Sequence, residues 1–252
     1  MTSFKTCLAV SALMLGATAY QPALAQEMDR TAVENIIKEY LVSNPEVVEA
    51  ALLELEKRRI AKEEDEKRLA LEEVADILYD SPNQVVLGNP EGDVTLVEFF
   101  DYNCGYCRRS LADMLRLAEA DKNLRIVLKE FPVLGQPSME AAQVAIAVND
   151  VAPELYQDFH VALMSAKGRA NKQSALKAAK DLGIDQDKLQ EALASSAIRD
   201  TLSEVFTIAE KLSLTGTPSY VVGGKDLTSD VSIGAVGFDR LSEQINAARA
   251  SK

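Results

Sequence analysis

The sequence predicts a mixed α/β domain with a helical insert, carried behind an N-terminal helical arm. Three observations predict it. A Val- and Phe-rich run at 94–100 leads at once into two cysteines three apart and then into helical spacing. A second apolar run at 124–131 closes a β-α-β unit, whose crossover should be right-handed. From Asp29 to Glu73, by contrast, the chain offers only helical periodicity and charge.

The first residues read as an export leader. Lys5 supplies a short positive start, an apolar stretch follows from Cys7 to Ala19, and Ala23-Leu24-Ala25 has the small-x-small form of a cleavage site. Cleavage after Ala25 is expected, and the periplasm is the expected destination. The apolar stretch is shorter than the roughly 20 residues a helix needs to span a bilayer. Cys7 leaves with the leader, so the exported chain keeps Cys104 and Cys107.

Residues 26–61 read as a helical oligomerisation region. Ile36, Ile37, Tyr40 and Leu41 recur at helical spacing, "SNPE" at 43–46 can break and restart the helix, and Val47, Val48, Ala51, Leu52 and Leu55 form a second apolar stripe. Such a stripe is unstable unless something covers it. Residues 62–83 read as a charged helical linker, with acids and bases three and four apart supporting an exposed helix. One heptad register runs through Leu53, Ile60, Leu71, Val74 and Leu78, but Lys57, Glu64 and Lys67 interrupt it.

From residue 84 the α/β domain begins. "QVVLG" and "VTLVEFF" are expected strands, 104–120 a helix and "NLRIVLKEF" the next strand. A helical insert spans about 137–212, punctuated by Pro153, Gly168 and Gly183. "TPSYVVGGK" and "VSIGAVG" return to strand, and 238–250 closes as an amphipathic helix. The 39 acidic residues against 27 basic ones give a net charge of −12. Such a surface repels phosphate backbones and argues against a nucleic-acid partner.

Cys104 and Cys107 are open to three chemistries. A tetrahedral zinc site needs four ligands, and an iron–sulfur cluster needs four thiolates. The exported chain offers two Cys and one His, His160, so neither closes; only a two-thiolate site for a soft ion such as Cu(I) survives. A structural disulfide would close a two-residue loop and remove little chain entropy. A redox pair explains more. Cys104 at a strand-to-helix junction meets unpaired N–H groups and the positive end of the helix dipole. Both favour the thiolate, the attacking species. Cys107, one turn in, suits the resolving role.

"VEFFDYNCGYC" resembles the active-site opening of the thioredoxin superfamily, and the long helical insert before "GTPSYVVGG" is similar to its DsbA-type branch. The resemblance covers about residues 84–252 and implies a thioredoxin fold with an inserted helical subdomain. It implies that Thr217-Pro218 is the cis-proline loop lying against the cysteines and holding a client strand. It also implies that Glu98 is the buried acid beneath the disulfide, and alternation with Val97 and Phe99 in an apolar strand agrees. A buried carboxyl has a raised pKa and could take the Cys107 proton. Lys129 on the adjacent strand is a candidate partner for Glu98. His160 is expected to be a helix residue with no chemical role.

The dipeptide between the cysteines bears on direction. DsbA-type oxidases would have Pro-His there, whereas Gly105 and Tyr106 carry no titratable cation; Arg108 and Arg109 lie just beyond. CGYC and the Thr before Pro218 are similar to DsbC-type isomerases. The helical extension resembles that of the ScsC group (suppressor of copper sensitivity), which implies a homo-oligomer, with a trimer preferred. The expected function is therefore a thiol–disulfide isomerase or reductase acting on client proteins without a cofactor and recycled by a membrane redox partner. A DsbA-like oxidase and a Cu(I)-binding protein are the alternatives.

Overall fold

The computed structural model describes residues 29–224 and 230–250; the leader and its cleavage after Ala25 lie outside them. Two compact units divide between Arg58 and Arg59. In the first, α1 (Arg30–Ser43) starts at Asp29, whose side chain accepts from Thr31 N–H at 3.1 Å. It ends at Asn44, whose side-chain amide donates to Tyr40 O at 2.8 Å. Pro45, suited to a first helical position because it has no N–H to satisfy there, opens α2 (Pro45–Tyr79). Nothing in α1 is buried, with Ile36 67 % and Tyr40 56 % exposed, and Leu52 in early α2 is 61 % exposed.

The second unit is built on one five-stranded sheet, ordered β1-β3-β2-β4-β5. β2 (Val94–Phe100) and β3 (Leu124–Glu130) are parallel, joined by α3 (Gly105–Ala120). β1 (Val85–Gly88), β4 (Ser219–Gly223) and β5 (Asp230–Ile233) join antiparallel. Between β3 and β4 run α4 (Gln136–Val151), a 3-10 turn at Pro153–Leu155, α5 (Tyr156–Ser165), α6 (Lys172–Asp181), α7 (Gln186–Leu193) and α8 (Ala197–Lys211). The chain closes with α9 (Phe238–Ala250). This is the DsbA-like thioredoxin fold. Gly92, in the turn before β2, allows a backbone approach that a side chain would block: an added Cβ would lie 2.5 Å from Arg125 N.

β2 is buried along its whole length, as its mostly apolar run predicts. Its two faces enter different cores. Leu96 and Phe100 pack with Cys104, Cys107, Leu111 and the insert helices. Val97 and Phe99 pack with Val205 and Ile208 of α8 and with Leu71, Val74 and Leu78 of α2. Each such side chain removed from water contributes about 1.5–3 kcal/mol. The last turns of α2 are thus part of this core rather than linker. Charge density hides them in the sequence, because three apolar positions one turn apart are enough to seat a helix edge.

Candidate active site

Cys104 is the N-cap of α3. The β-region backbone there (φ −75°, ψ 115°) is what a cap position requires, and Cys107 N–H donates to Cys104 Sγ at 3.4 Å. The turn before it is pinned by Asp101, whose carboxylate accepts from Asn103 N–H at 2.7 Å and Leu134 N–H at 3.0 Å. The Asp101 carbonyl accepts from Cys104 N–H at 2.9 Å. Asn103 ties the same turn to the insert, donating to Ser138 Oγ and Ala170 O and accepting from Ala170 N–H. The turn that carries Cys104 is therefore fixed on both sides by hydrogen bonds.

The Thr217–Pro218 peptide is cis. It lies against the cysteines: the Cys104 thiol donates to Thr217 O at 3.2 Å. Gly105 and Tyr106 form the first turn of α3. Tyr106 is 58 % exposed, and the Arg109 guanidinium sits 4.4 Å from its ring centre. Cys107 is 1 % exposed, and burial pushes its thiol well above the ordinary range; the Cys104 sulfur and Glu98 push the same way. Both sulfurs are buried, but Cys104 caps the helix against the Thr217 carbonyl whereas Cys107 lies one turn deeper.

Glu98 is buried below them, on the face of β2 that meets Cys107. Burial raises its carboxyl to about 7, and the hydroxyls of Tyr220 and Ser110 pull it partly back. Tyr220 stands directly opposite Glu98 across the β2–β4 pair. Its buried hydroxyl meets full hydrogen-bond geometry with no partner among the described residues, yet it lies close enough to favour the Glu98 carboxylate. A carboxyl near neutrality beside a thiol pushed high can exchange a proton with it as the sulfur changes state.

Lys129 does not pair with Glu98. The parallel register sets Phe99 opposite Lys129, so the lysine projects from the other face of the sheet. There Lys129 Nζ donates to Glu204 Oε1 at 2.9 Å and to Ile77 O at 2.7 Å. Burial lowers the Lys129 pKa, and Glu204 opposes that shift.

A buried polar chain that the sequence did not reveal runs behind the Cys104 turn. The Tyr156 hydroxyl donates to Glu130, Tyr102 Oη lies 3.3 Å from Tyr156 Oη, and Tyr102 Oη lies 3.3 Å from His160 Nδ1. Burial raises Glu130 to about 7 and lowers His160 to about 3. His160 is thus a neutral member of a buried network rather than a bystander on a helix. Tyr156 and His160, four apart on one helix, carried the only signal, and it points to no particular partner.

A cysteine-capped helix after a central strand, facing a Thr-Pro loop, defines a dithiol oxidoreductase site on a thioredoxin fold. Comparison with known proteins supports that class. Residues 95–246 match the DSBA-like thioredoxin domain, and residues 29–62 match the copper resistance protein ScsC N-terminal domain. The chain belongs to the DSBA-like thioredoxin family. A thioredoxin-like oxidoreductase from Silicibacter pomeroyi is 41 % identical; the match covers 70 % of this chain and 98 % of that one, with a TM-score of 0.65. Proteus mirabilis ScsC in a transitional conformation is 28 % identical over 88 % of this chain and 97 % of its own, with a TM-score of 0.66. The thiol:disulfide interchange protein DsbA of Bordetella pertussis is 25 % identical over 165 residues, 62 % of this chain and 76 % of that protein. The protein is a thiol–disulfide oxidoreductase of DsbA/ScsC type.

Proposed function

We propose that the protein is a periplasmic protein-disulfide isomerase and reductase, with Cys104 as nucleophile and Cys107 as resolving thiol. The observation that carries the Cys104 role is its place as helix cap, its sulfur accepting from Cys107 N–H and touching Thr217 O. The Cys104 thiolate attacks a client disulfide: a bond forms to one client sulfur, and the other leaves as a thiolate. If that thiolate, or another in the client, attacks the mixed disulfide, Cys104 is expelled unchanged and the client is rearranged without net redox. If Cys107 gives its proton to Glu98 and attacks Cys104, the client leaves reduced by two electrons and the protein is left with the Cys104–Cys107 disulfide. A membrane dithiol partner would then return it to the reduced form.

Thr217 and Pro218 line the path of the client strand, since Pro218 has no N–H of its own to occupy it. Gly105 and Tyr106 supply no cation to stabilise the thiolate further, which favours the isomerase and reductase direction over a DsbA-like oxidase. The exposed apolar residues of α1 and early α2 favour a homo-oligomer, a trimer first, that sets several dithiols around one client. The deciding experiment gives the reduced protein scrambled ribonuclease and the oxidised protein reduced ribonuclease. Unscrambling is expected to be the faster activity; strong oxidation without unscrambling would overturn the preference. For the assembly, light scattering should give a multiple of the monomer mass that returns to one on deleting 26–60.

A Cu(I)-binding role is the second reading, favoured by two adjacent sulfurs and by the copper-resistance description of the matching N-terminal family. Tight 1:1 Cu(I) binding lost in Cys104→Ser, with no turnover on disulfides, would put it first.

A further inference from the structure

We propose that a basic groove beside Cys104 selects client segments that carry a carboxylate within two or three residues of their reacting cysteine. The proposal rests on the dithiol reading above and adds a substrate class to it. The groove has a volume of about 500 Å³ and is lined by Asn103, Arg108, Leu134, Gly168 and Arg169. Asn103 directly precedes Cys104, so a chain joined to that sulfur passes the groove within its next few residues, each adding at most about 3.5 Å of reach.

Both guanidinium groups are held in place by backbone rather than by acids. Arg108 Nε donates to Tyr102 O at 2.8 Å and its Nη1 to Ala166 O at 2.7 Å, leaving Nη2 uncommitted among the described residues. Arg169 Nη2 donates to Leu134 O at 3.2 Å, leaving its other donors open. Several other arginines, Arg58, Arg68, Arg240 and Arg249, each have a carboxylate partner. Arg108, Arg109 and Arg169 have none among the described residues, and Arg109 adds its charge one turn along α3. One guanidinium held twice at Arg108 and one tethered once at Arg169, both with open donors, suit a carboxylate, and a held donor loses little freedom on binding it.

The surroundings sharpen the contrast. A chain of net charge −12 repels acidic segments over most of its surface. A carboxylate that arrives at the rim of the cysteine meets three arginines without an acidic partner among the described residues, and salt screens that encounter over a length of about 8–10 Å. Leu134, half exposed, offers an apolar shoulder for the stem of a Glu or Asp neighbour.

The test uses short peptides with one cysteine, present as its mixed disulfide with mercaptoethanol and flanked two residues away on both sides by Glu, Gln or Lys. Transfer to the reduced full-length protein is timed. Each rate is divided by that of the same peptide with dithiothreitol, which removes its intrinsic reactivity. The wild type is expected to favour Glu over Lys by about five-fold, the size of a good exposed ion pair. Arg169→Ala should bring the ratio to an intermediate value, and Arg169→Glu or 0.5 M salt should bring it to about one. A ratio of one in the wild type, or one that Arg169→Glu leaves unchanged, overturns the proposal while the dithiol reading stands. No transfer from any peptide overturns both.

Discussion

Each face of the central sheet meets a glutamate, buried on one face and part-buried on the other, and the two are treated in opposite ways. On one face Glu98 lies beneath the cysteines with no cation beside it, raised to about 7 by burial. On the other, Glu204 meets the buried Lys129 at 2.9 Å. The residues that choose between these outcomes, Glu98 and Phe99 opposite Lys129, are neighbours on one strand. A buried carboxyl is thus either left near its titration point, where it can serve chemistry, or fixed by a partner, where it serves packing. The contrast teaches that strand parity, not charge content, divides the reactive half of this domain from the structural half.

The largest expected effect falls on the reactive face. Cys104→Ser should abolish disulfide exchange outright, whereas Cys107→Ser should still attack and then accumulate mixed disulfides, visible on non-reducing gels. Rapid release of client from Cys107→Ser would show that Cys107 is not the resolver.

Glu98→Gln comes next. It should slow the Cys107-dependent step on the order of a hundred-fold, read in single-turnover release of a trapped client. It should also stabilise the protein above neutrality. Burial raises the folded carboxyl to about 7, against its ordinary value of 4.5. The folded state therefore holds the extra proton, and stability declines as pH rises from 4.5 to 7 and then levels off. Glu130, also raised to about 7, contributes a second decline of the same sign. Urea midpoints across this range should show Glu98→Gln flattening part of the slope and Glu98→Gln/Glu130→Gln flattening more.

On the structural face, Lys129→Met should cost about 3 kcal/mol, because Glu204 is left without its buried partner. Adding Glu204→Leu should recover most of that loss in urea unfolding. If Lys129→Met alone were neutral, the pairing would not be what distinguishes the two faces. The smallest effect is expected from Arg68→Ala on α2, which removes its bond to Glu72 and should cost about 0.3–0.5 kcal/mol.

What was legible in the sequence was local or periodic. The cysteine spacing, the strand before it and the alternation that buries Glu98 all lie within short windows, where backbone geometry follows from residue type, whereas the Thr-Pro before β4 was legible through the family resemblance. The rest depended on register and on distant segments. Lys129 looked like a partner for Glu98 because both sit on adjacent strands; only the pairing of Phe99 with Lys129 shows that they point apart. The Glu130–Tyr156–Tyr102–His160 chain joins a turn, a strand end and a helix, so no single stretch carries its pattern. The end of α2 was read as linker because charge dominated its composition, although Leu71, Val74 and Leu78 were enough to dock it.

The ion-pair ladder along α2 has one more consequence. From Glu54 to Glu72 the helix is braced by its own neighbours: Glu54 with Arg58, Arg59 with Glu63, Lys62 with Glu66, and Arg68 with Glu72. Each brace is weak and screened by salt, whereas the turns from Leu71 to Tyr79 are clamped by packing. One helix is thus held in two ways: its last turns by burial, and the stretch before them by surface pairs that salt weakens.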